Sequence, residues 1–249
     1  VDAASATLSA GEDVVDGSVS VVGAADIDAA ADIAGLAVDS DTATLDATNI
    51  VGVEVNTDTT AALTALNDVQ GGNTNAGTTL DVVAGNDIDG LTAMGGDAVT
   101  ATADQSVTNA SFTSTGSTAT VTATNVDVSN TDVVANLLAT VTAGEDVIGS
   151  SVTSETDDVE VTAQSGTISA TDASADAGTV DLLAGIDIVD GSVDAGDTAT
   201  LTATTGEING TSVQSDAAAL LSAALDIAGV SVDAASATLS AGEDVVDGS

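Results

Sequence analysis

The sequence predicts an all-β fold, a parallel β-solenoid, and three observations carry that prediction. An alanine returns every 18 to 21 residues without exception, at Ala10, Ala29, Ala47, Ala65, Ala84, Ala103, Ala123, Ala143, Ala163, Ala184, Ala203, Ala223 and Ala241. Two positions before it the residue is always apolar: Leu8, Ile27, Leu45, Leu63, Val82, Ala101, Val121, Val141, Val161, Leu182, Leu201, Leu221 and Leu239. A spacing of two is the period of a strand with one buried face, and no 3.6-residue helical pattern accompanies it. A unit of about twenty residues cannot bury its own apolar face, so copies must stack into one continuous core.

The elements follow in order along each coil. The first is the strand ending at the alanine, as in Ala6-Thr7-Leu8-Ser9-Ala10. An alanine in every copy marks a place where nothing larger fits, a tight inner corner between packed strands. A few residues on comes a β-branched column, read as Val14, Ile33, Ile50, Val69, Ile88, Val107, Val126, Val147, Ile168, Ile188, Ile208, Ile227 and Val245, the residue type that a pleated surface favours. In several copies a glycine and then a third apolar position follow, at Gly17 with Val19, Gly191 with Val193, Gly210 with Val213 and Gly229 with Val232. Phe112, five after Val107 as Val19 is five after Val14, is expected inside; Met94 has no predicted place. Each coil thus reads as two or three short strands joined by Gly, Asp, Asn and Ser turns. The least regular stretch, Gln70 to Ala76, is predicted to be an extruded loop.

A longer period encloses the short one. Residues Val1 to Ser18 recur unchanged as Val232 to Ser249. The whole chain, 1–249, reads as one continuous solenoid segment in which 1–231 form one long repeat of twelve coils, about nineteen residues each, and 232–249 are the first coil of the next. The expected neighbours are identical repeats joined head to tail, and beyond them other fibres.

Coils of the form A-T-L-x-A-G-x-D-I-x-x-x-x-V, clearest at Ala6 to Val19, Ala139 to Val152 and Val180 to Val193, resemble the repeats of filamentous haemagglutinin-like giant adhesins. That resemblance implies a right-handed β-helix, a hand that also matches the bias of parallel crossovers. It further implies a stalk or fibre outside the cell or on its surface. The chain departs from the family in having no basic residue and no recognisable secretion domain.

Composition narrows the functions. There is no Lys, Arg, His, Cys, Pro, Trp or Tyr, a single Phe and a single Met, and 40 acidic residues give a net charge of −40. Such a restricted alphabet belongs to repeat and fibre proteins, while 43% hydrophobic content separates it from disordered acidic chains. Nucleophilic triads, zinc sites and phosphate clamps need residue types that are missing, so no enzyme is expected. Carboxylate pairs of the glycosidase kind all recur with the coil or sit in turns, as Asp157-Asp158 does, so no coil is singled out. The charge also argues against nucleic acid and anionic membranes as partners, and no run approaches the roughly 18 apolar residues of a membrane helix. Lacking Lys, Arg and nearly all aromatic residues, the chain offers few sites to trypsin-like and chymotrypsin-like proteases, which suits an extracellular fibre.

Cations are the natural partners. Thirteen coils at 4.7 to 4.9 Å per rung span roughly 60 Å, so the rod carries about one negative charge per 1.5 Å, close to the roughly 1.7 Å of duplex DNA. The acids favour the position before the β-branched column, read as Asp13, Asp32, Asn49, Asp68, Asp87, Ser106, Asn125, Asp146, Thr167, Asp187, Glu207, Asp226 and Asp244. Two compatible readings are open. The side chains begin turns by accepting backbone N–H bonds, which Asn, Ser and Thr also manage. Alternatively Asp13, Asp32, Asp68, Asp87, Asp146, Asp187, Asp226 and Asp244 form rungs that share calcium, an ion that takes six to eight oxygens. Glu12, Glu145 and the Asp16-Gly17, Asp89-Gly90 and Asp190-Gly191 turns offer further oxygens, but no complete calcium-loop motif is present.

Two other patterns are weaker. Thr-x-Thr recurs at Thr100/Thr102, Thr120/Thr122, Thr140/Thr142 and Thr200/Thr202, resembling ice-binding faces, yet Asp26, Asp28, Asp46, Glu160 and Asp181 break the columns. Threonine as a good polar strand former is the expected explanation, and ice binding is not expected. The sequons at Asn109 and Asn209 are near chance in so Ser/Thr/Asn-rich a chain.

Overall fold

The computed structural model describes residues 2–248, and among them every ladder is parallel and no helix occurs. The chain winds into a right-handed β-solenoid of thirteen turns. The open choice between two and three strands per coil resolves to three sheets. A middle coil shows them plainly. The first sheet takes Ala119–Ala123, the second takes Val128–Ser129, and the third takes Asp132–Ala135. Each pairs with its counterpart one coil on: Ala139–Ala143, Val147–Ile148 and Ser151–Ser154. In the early and late coils the corners straighten and strands merge, so that Asp32–Ala47 runs through all three sheets.

The alanine column is a true rung-by-rung ladder. Ala10 lies beside Ala29, and from Ala47 onward the partners run Ala65, Ala84, Ala103, Ala123, Ala143, Ala163, Ala184, Ala203, Ala223 and Ala241. Between Ala103 and Ala184 these methyl groups are fully buried. With the column two before it, they form the flat inner wall of the first sheet. Every such side chain removed from water adds a few tenths to about 3 kcal/mol, the larger values for Leu and Ile.

The β-branched column needs one correction. Val107 pairs with Val128, and Val128 with Val147, so Val128 and not Val126 is the buried member. Coil seven has a longer first corner, which leaves Val126 half-exposed. Phe112 sits in the third sheet between Ala93 and Val133, fully buried as expected. Met94 is on that sheet's outer face, 44% exposed.

Gln70 to Ala76 is not an extruded loop. Val69–Gln70 and Asn73–Ala76 are strands, the latter paired residue for residue with Glu54 to Thr57 and Thr92 to Gly95. Gly71 and Gly72, at φ of +61° and +94°, turn the chain between them. The polar string Asn73-Thr74-Asn75 still alternates, because Thr74 points inward and its neighbours outward.

The corner between second and third sheets repeats one backbone device. Asp16, Gly35, Gly52, Gly71, Gly90, Asn109, Asn130, Gly149, Ala170, Asp190, Gly210, Gly229 and Asp247 occupy it in successive coils, and all have φ between 45° and 70°. Glycine adopts that conformation freely, and Asn and Asp tolerate it. Ala170, at φ 48°, is the exception.

Candidate functional site

The acids concentrate where the chain turns from the first sheet into the second. Here the strand leaves the alanine, crosses two to four residues, most of them polar, and re-enters the core at the β-branched column. The residue before that column sits at the edge, half-buried in most coils, with its side chain lying along the rod.

Its carboxylate reaches forward to the next coil. Asp13 Oδ1 accepts from Asp32 N–H at 3.1 Å, Asp68 Oδ1 from Asp87 N–H at 3.3 Å, and Asp87 Oδ1 from Ser106 N–H at 2.9 Å. Asp146 Oδ1 accepts from Thr167 N–H at 2.6 Å, Asp187 Oδ1 from Glu207 N–H at 2.8 Å, and Asp226 Oδ1 from Asp244 N–H at 2.9 Å. Asp32 receives Asn49 Nδ2 at 2.8 Å, and Asn49 Oδ1 in turn receives Asp68 N–H at 3.3 Å. The expected N–H bonding is therefore real, but the N–H belongs to the following coil, not to a local turn. A charge-assisted bond of this kind is shorter and stronger than a neutral one.

Coil seven again corrects the reading. Asp127, not Asn125, holds this position, and its Oδ1 accepts from Asp146 N–H at 2.9 Å. Asn125 lies earlier in the corner and donates Nδ2 to the Asp104 carbonyl at 2.8 Å. The signal that locates Asp127 is the Asn-x-Asp-Val-Ser run over 125–129, which leads to Val128 in register with Val147 and which the shorter spacing to Val126 concealed.

The proposed calcium ligands thus share one column along the rod, in which Asn49, Ser106 and Thr167 interrupt the carboxylates. Asp68 also receives Gln70 Nε2 at 3.4 Å, and Asp244 closes the column as a donor to Asp226. Among the described residues, no point gathers three or more acidic side chains in a geometry able to hold a metal ion. Glu12 and Glu145 project from the corner, exposed. Asp16 and Asp190 are left-handed corner residues. Asp89 instead anchors the second corner: its Oδ1 accepts from Thr108 Oγ1 at 2.7 Å and Asn109 Nδ2 at 2.9 Å. These two bonds, that from Asn109 first, hold the Asp89 carboxyl below its ordinary pKa.

The third corner has its own fastenings. Ser114 and Ser154 turn inward, donate to the carbonyls of Asp97 and Leu137, and accept from Ser117 and Asp157 N–H groups. Asp158 Oδ1 accepts from both the N–H and the hydroxyl of Thr179, at 2.7 and 2.8 Å.

Between the two acidic corners the outer face of the first sheet is mostly neutral. The Thr-x-Thr pairs are in register over three rungs, Thr100 with Thr120 and Thr140, and Thr102 with Thr122, Thr142 and Thr162. Asp81 below and Glu160 above bound that patch. Chemically, the arrangement offers oxygen acceptors and negative charge along its corners and hydroxyls between them.

Comparison of the chain with protein families, with curated proteins and with solved structures gives no match.

Proposed function

We propose that this chain is a structural segment of a secreted or cell-surface fibre, the stalk of a giant adhesin or a comparable rod, whose useful properties are length, stiffness and negative charge. The observation that carries this reading is continuity across the long repeat. Residues 232–248 have the sequence of 1–17, and they seat on the preceding coil in all three sheets: Val213 beside Val232, Leu221 beside Leu239, and Ile227 beside Val245. The corner bond between Asp226 and Asp244 is also made. The first coil of a block therefore fits the last coil of the same block, and blocks can follow one another head to tail without an adapter.

The acidic corners supply the surface character. With no Lys or Arg in the chain, no side-chain ion pair relieves the repulsion among 40 carboxylates, so a cation atmosphere does it. Divalent ions are the effective members of that atmosphere, and calcium is the expected one, held by the carboxylate oxygens left free along the first-corner column. The support for calcium is the column itself, which places carboxylates in adjacent coils at Asp13/Asp32, Asp68/Asp87, Asp127/Asp146 and from Asp187 to Asp244.

The alternative, a ligand- or cell-binding face displayed on the rod, needs a stretch that breaks the coil pattern, and residues 70–76 are the least regular. Strands 69–70 and 73–76 lie in the sheets, so the structural reading is the better supported one.

Two measurements test the proposal. A chain of two consecutive 231-residue blocks is expected to be a straight particle, longer than one block by roughly 58 Å, twelve rungs at about 4.8 Å; a bend or a collapsed particle at the block boundary would refute the rod. Millimolar calcium is expected to raise the melting temperature of the full chain more than sodium at equal ionic strength. Coincident melting curves would remove calcium and leave only non-specific screening.

A further inference from the structure

The inner positions of the third sheet vary from coil to coil, and one rung combines several weaknesses. In the third sheet each coil presents three inward positions. Coil two fills them with Leu36, Val38 and Ser40, and coil three with Val53, Val55 and Thr57. Coil four offers Gly72, Thr74 and Ala76. Its largest inward side chain is Thr74, which is polar, and the only apolar one is the methyl group of Ala76.

Thr74 is fully buried, and its hydroxyl makes no hydrogen bond. Among the described residues it is the only buried side-chain polar atom so placed. The other inward hydroxyls of this sheet are satisfied: Thr131 bonds the Ser129 carbonyl at 3.0 Å, Thr171 the Ser169 carbonyl at 3.2 Å, and Thr211 the Asn209 carbonyl at 3.3 Å. Those three stand two residues after their acceptors, at the start of the strand. Thr74 stands one position pair further along, where the carbonyls of its own strand are engaged in the ladder. Burial without a partner costs the folded state the full desolvation of the hydroxyl.

The backbone of the same coil is also singular. Gly71 and Gly72 are consecutive left-handed residues, whereas every other coil uses one. Two glycines give this segment more freedom to regain on opening than the corner between second and third sheets has in any other coil. A Cβ at Gly72 would collide with the Val53 carbonyl, so the second glycine is required by the close approach of coil three.

We propose that coil four is a built-in soft rung, the place where the third sheet opens locally while the first and second sheets remain closed. Three causes act together there: little apolar surface to hold the strand, an unpaired buried hydroxyl that regains a partner on opening, and a double-glycine corner that acts as the hinge. The first sheet of this coil, by contrast, keeps Ala61, Leu63 and Ala65 in the core and paired with Leu80, Val82 and Ala84. Opening is thus confined to one face. In a load-bearing rod this is the site at which strain is first relieved; the soft rung itself does not depend on that role.

Residue-resolved amide hydrogen exchange on the full chain tests it. Protection factors over 73–76 are expected to be at least about tenfold lower than over 172–175, a strand with similarly small inward residues, Thr171, Ala173 and Ala175, but a bonded hydroxyl. Thr74→Val, which fills the same space without the hydroxyl, is expected to raise protection over 73–76 about tenfold and leave 132–135 unchanged. Thr74→Ala serves if the valine does not pack, and it too is expected to raise protection there. Equal protection in the two strands overturns the proposal, and so does a Thr74→Val chain in which 73–76 exchanges as before.

Discussion

The first and third sheets are built from the same chain with the same number of rungs, yet they obey different rules. The first sheet repeats one inner pattern, aliphatic then alanine, in every coil, with no polar side chain facing inward. The third sheet accepts Val, Thr, Ala and Phe at a single inner position, and Ser, Thr, Ala or Gly two residues on. The difference teaches where shape is fixed. The alanine column approaches the corner where the wall turns, and its methyl groups stack at one strand spacing with nothing beyond them but backbone. In the third sheet a large residue in one coil is balanced by small ones beside it. Phe112 is the clearest case, set between Ala93 in the coil below and beside Ala110 in its own.

That contrast can be broken in both directions. Phe112→Ala is expected to cost about 3 to 5 kcal/mol, because Ala93 and Ala110 are too short to fill the void; denaturant unfolding reads it. A loss under about 1 kcal/mol would show that the third sheet collapses freely. Ala143→Leu probes the other wall and is expected to cost about 1 to 3 kcal/mol, since Ala123 and Ala163 stack directly against it. Should the leucine be accommodated at no cost, the alanine column is not a steric limit.

Smaller effects belong to the corners. Asp187→Ala removes the acceptor of the Glu207 N–H and is expected to cost about 0.5 to 2 kcal/mol. Asp187→Asn retains an acceptor and is expected to recover most of the loss, which the melting temperature would register. Ala170→Gly relieves the one corner that lacks Gly, Asn or Asp and is expected to stabilise by up to about 1 kcal/mol. The weakest is pH dependence at Asp89. Its carboxyl has a depressed pKa in the folded rod, so the stability it adds is present above the unfolded pKa and is lost as pH falls through the folded one. Asn109→Ala is expected to bring the Asp89 titration, followed by NMR, back toward the ordinary carboxylate range.

The two kinds of corner also separate what is legible from what is not. The column of Asp, Asn, Ser and Thr was visible because one residue type recurs beside a β-branched neighbour. Its bonding partner was not, because the N–H that such a carboxylate caps lies 18 to 21 residues away in sequence and one rung away in space. The second corner was half visible: Gly17 and Gly191 drew notice, while the left-handed residues are Asp16 and Asp190 just before them. Asn125 and Val126 misled for a related reason. The first corner of coil seven has four residues, as in coils nine and eleven, so the strand starts two later than at Val126, and both choices keep the alternation that local pattern reading relies on.

The sequence by itself determined the repeat length, the parallel stacking, the alanine wall and the interior place of Phe112, because those depend on periodicity and on which side chains avoid water. Only the tertiary structure decided that there are three sheets, that Val128 and Asp127 hold coil seven, that residues 70–76 stay within the coil and that Thr74 has no partner. Each of these depends on which rung faces which across neighbouring coils, and that pairing is settled by hydrogen bonds between coils, which no single coil specifies.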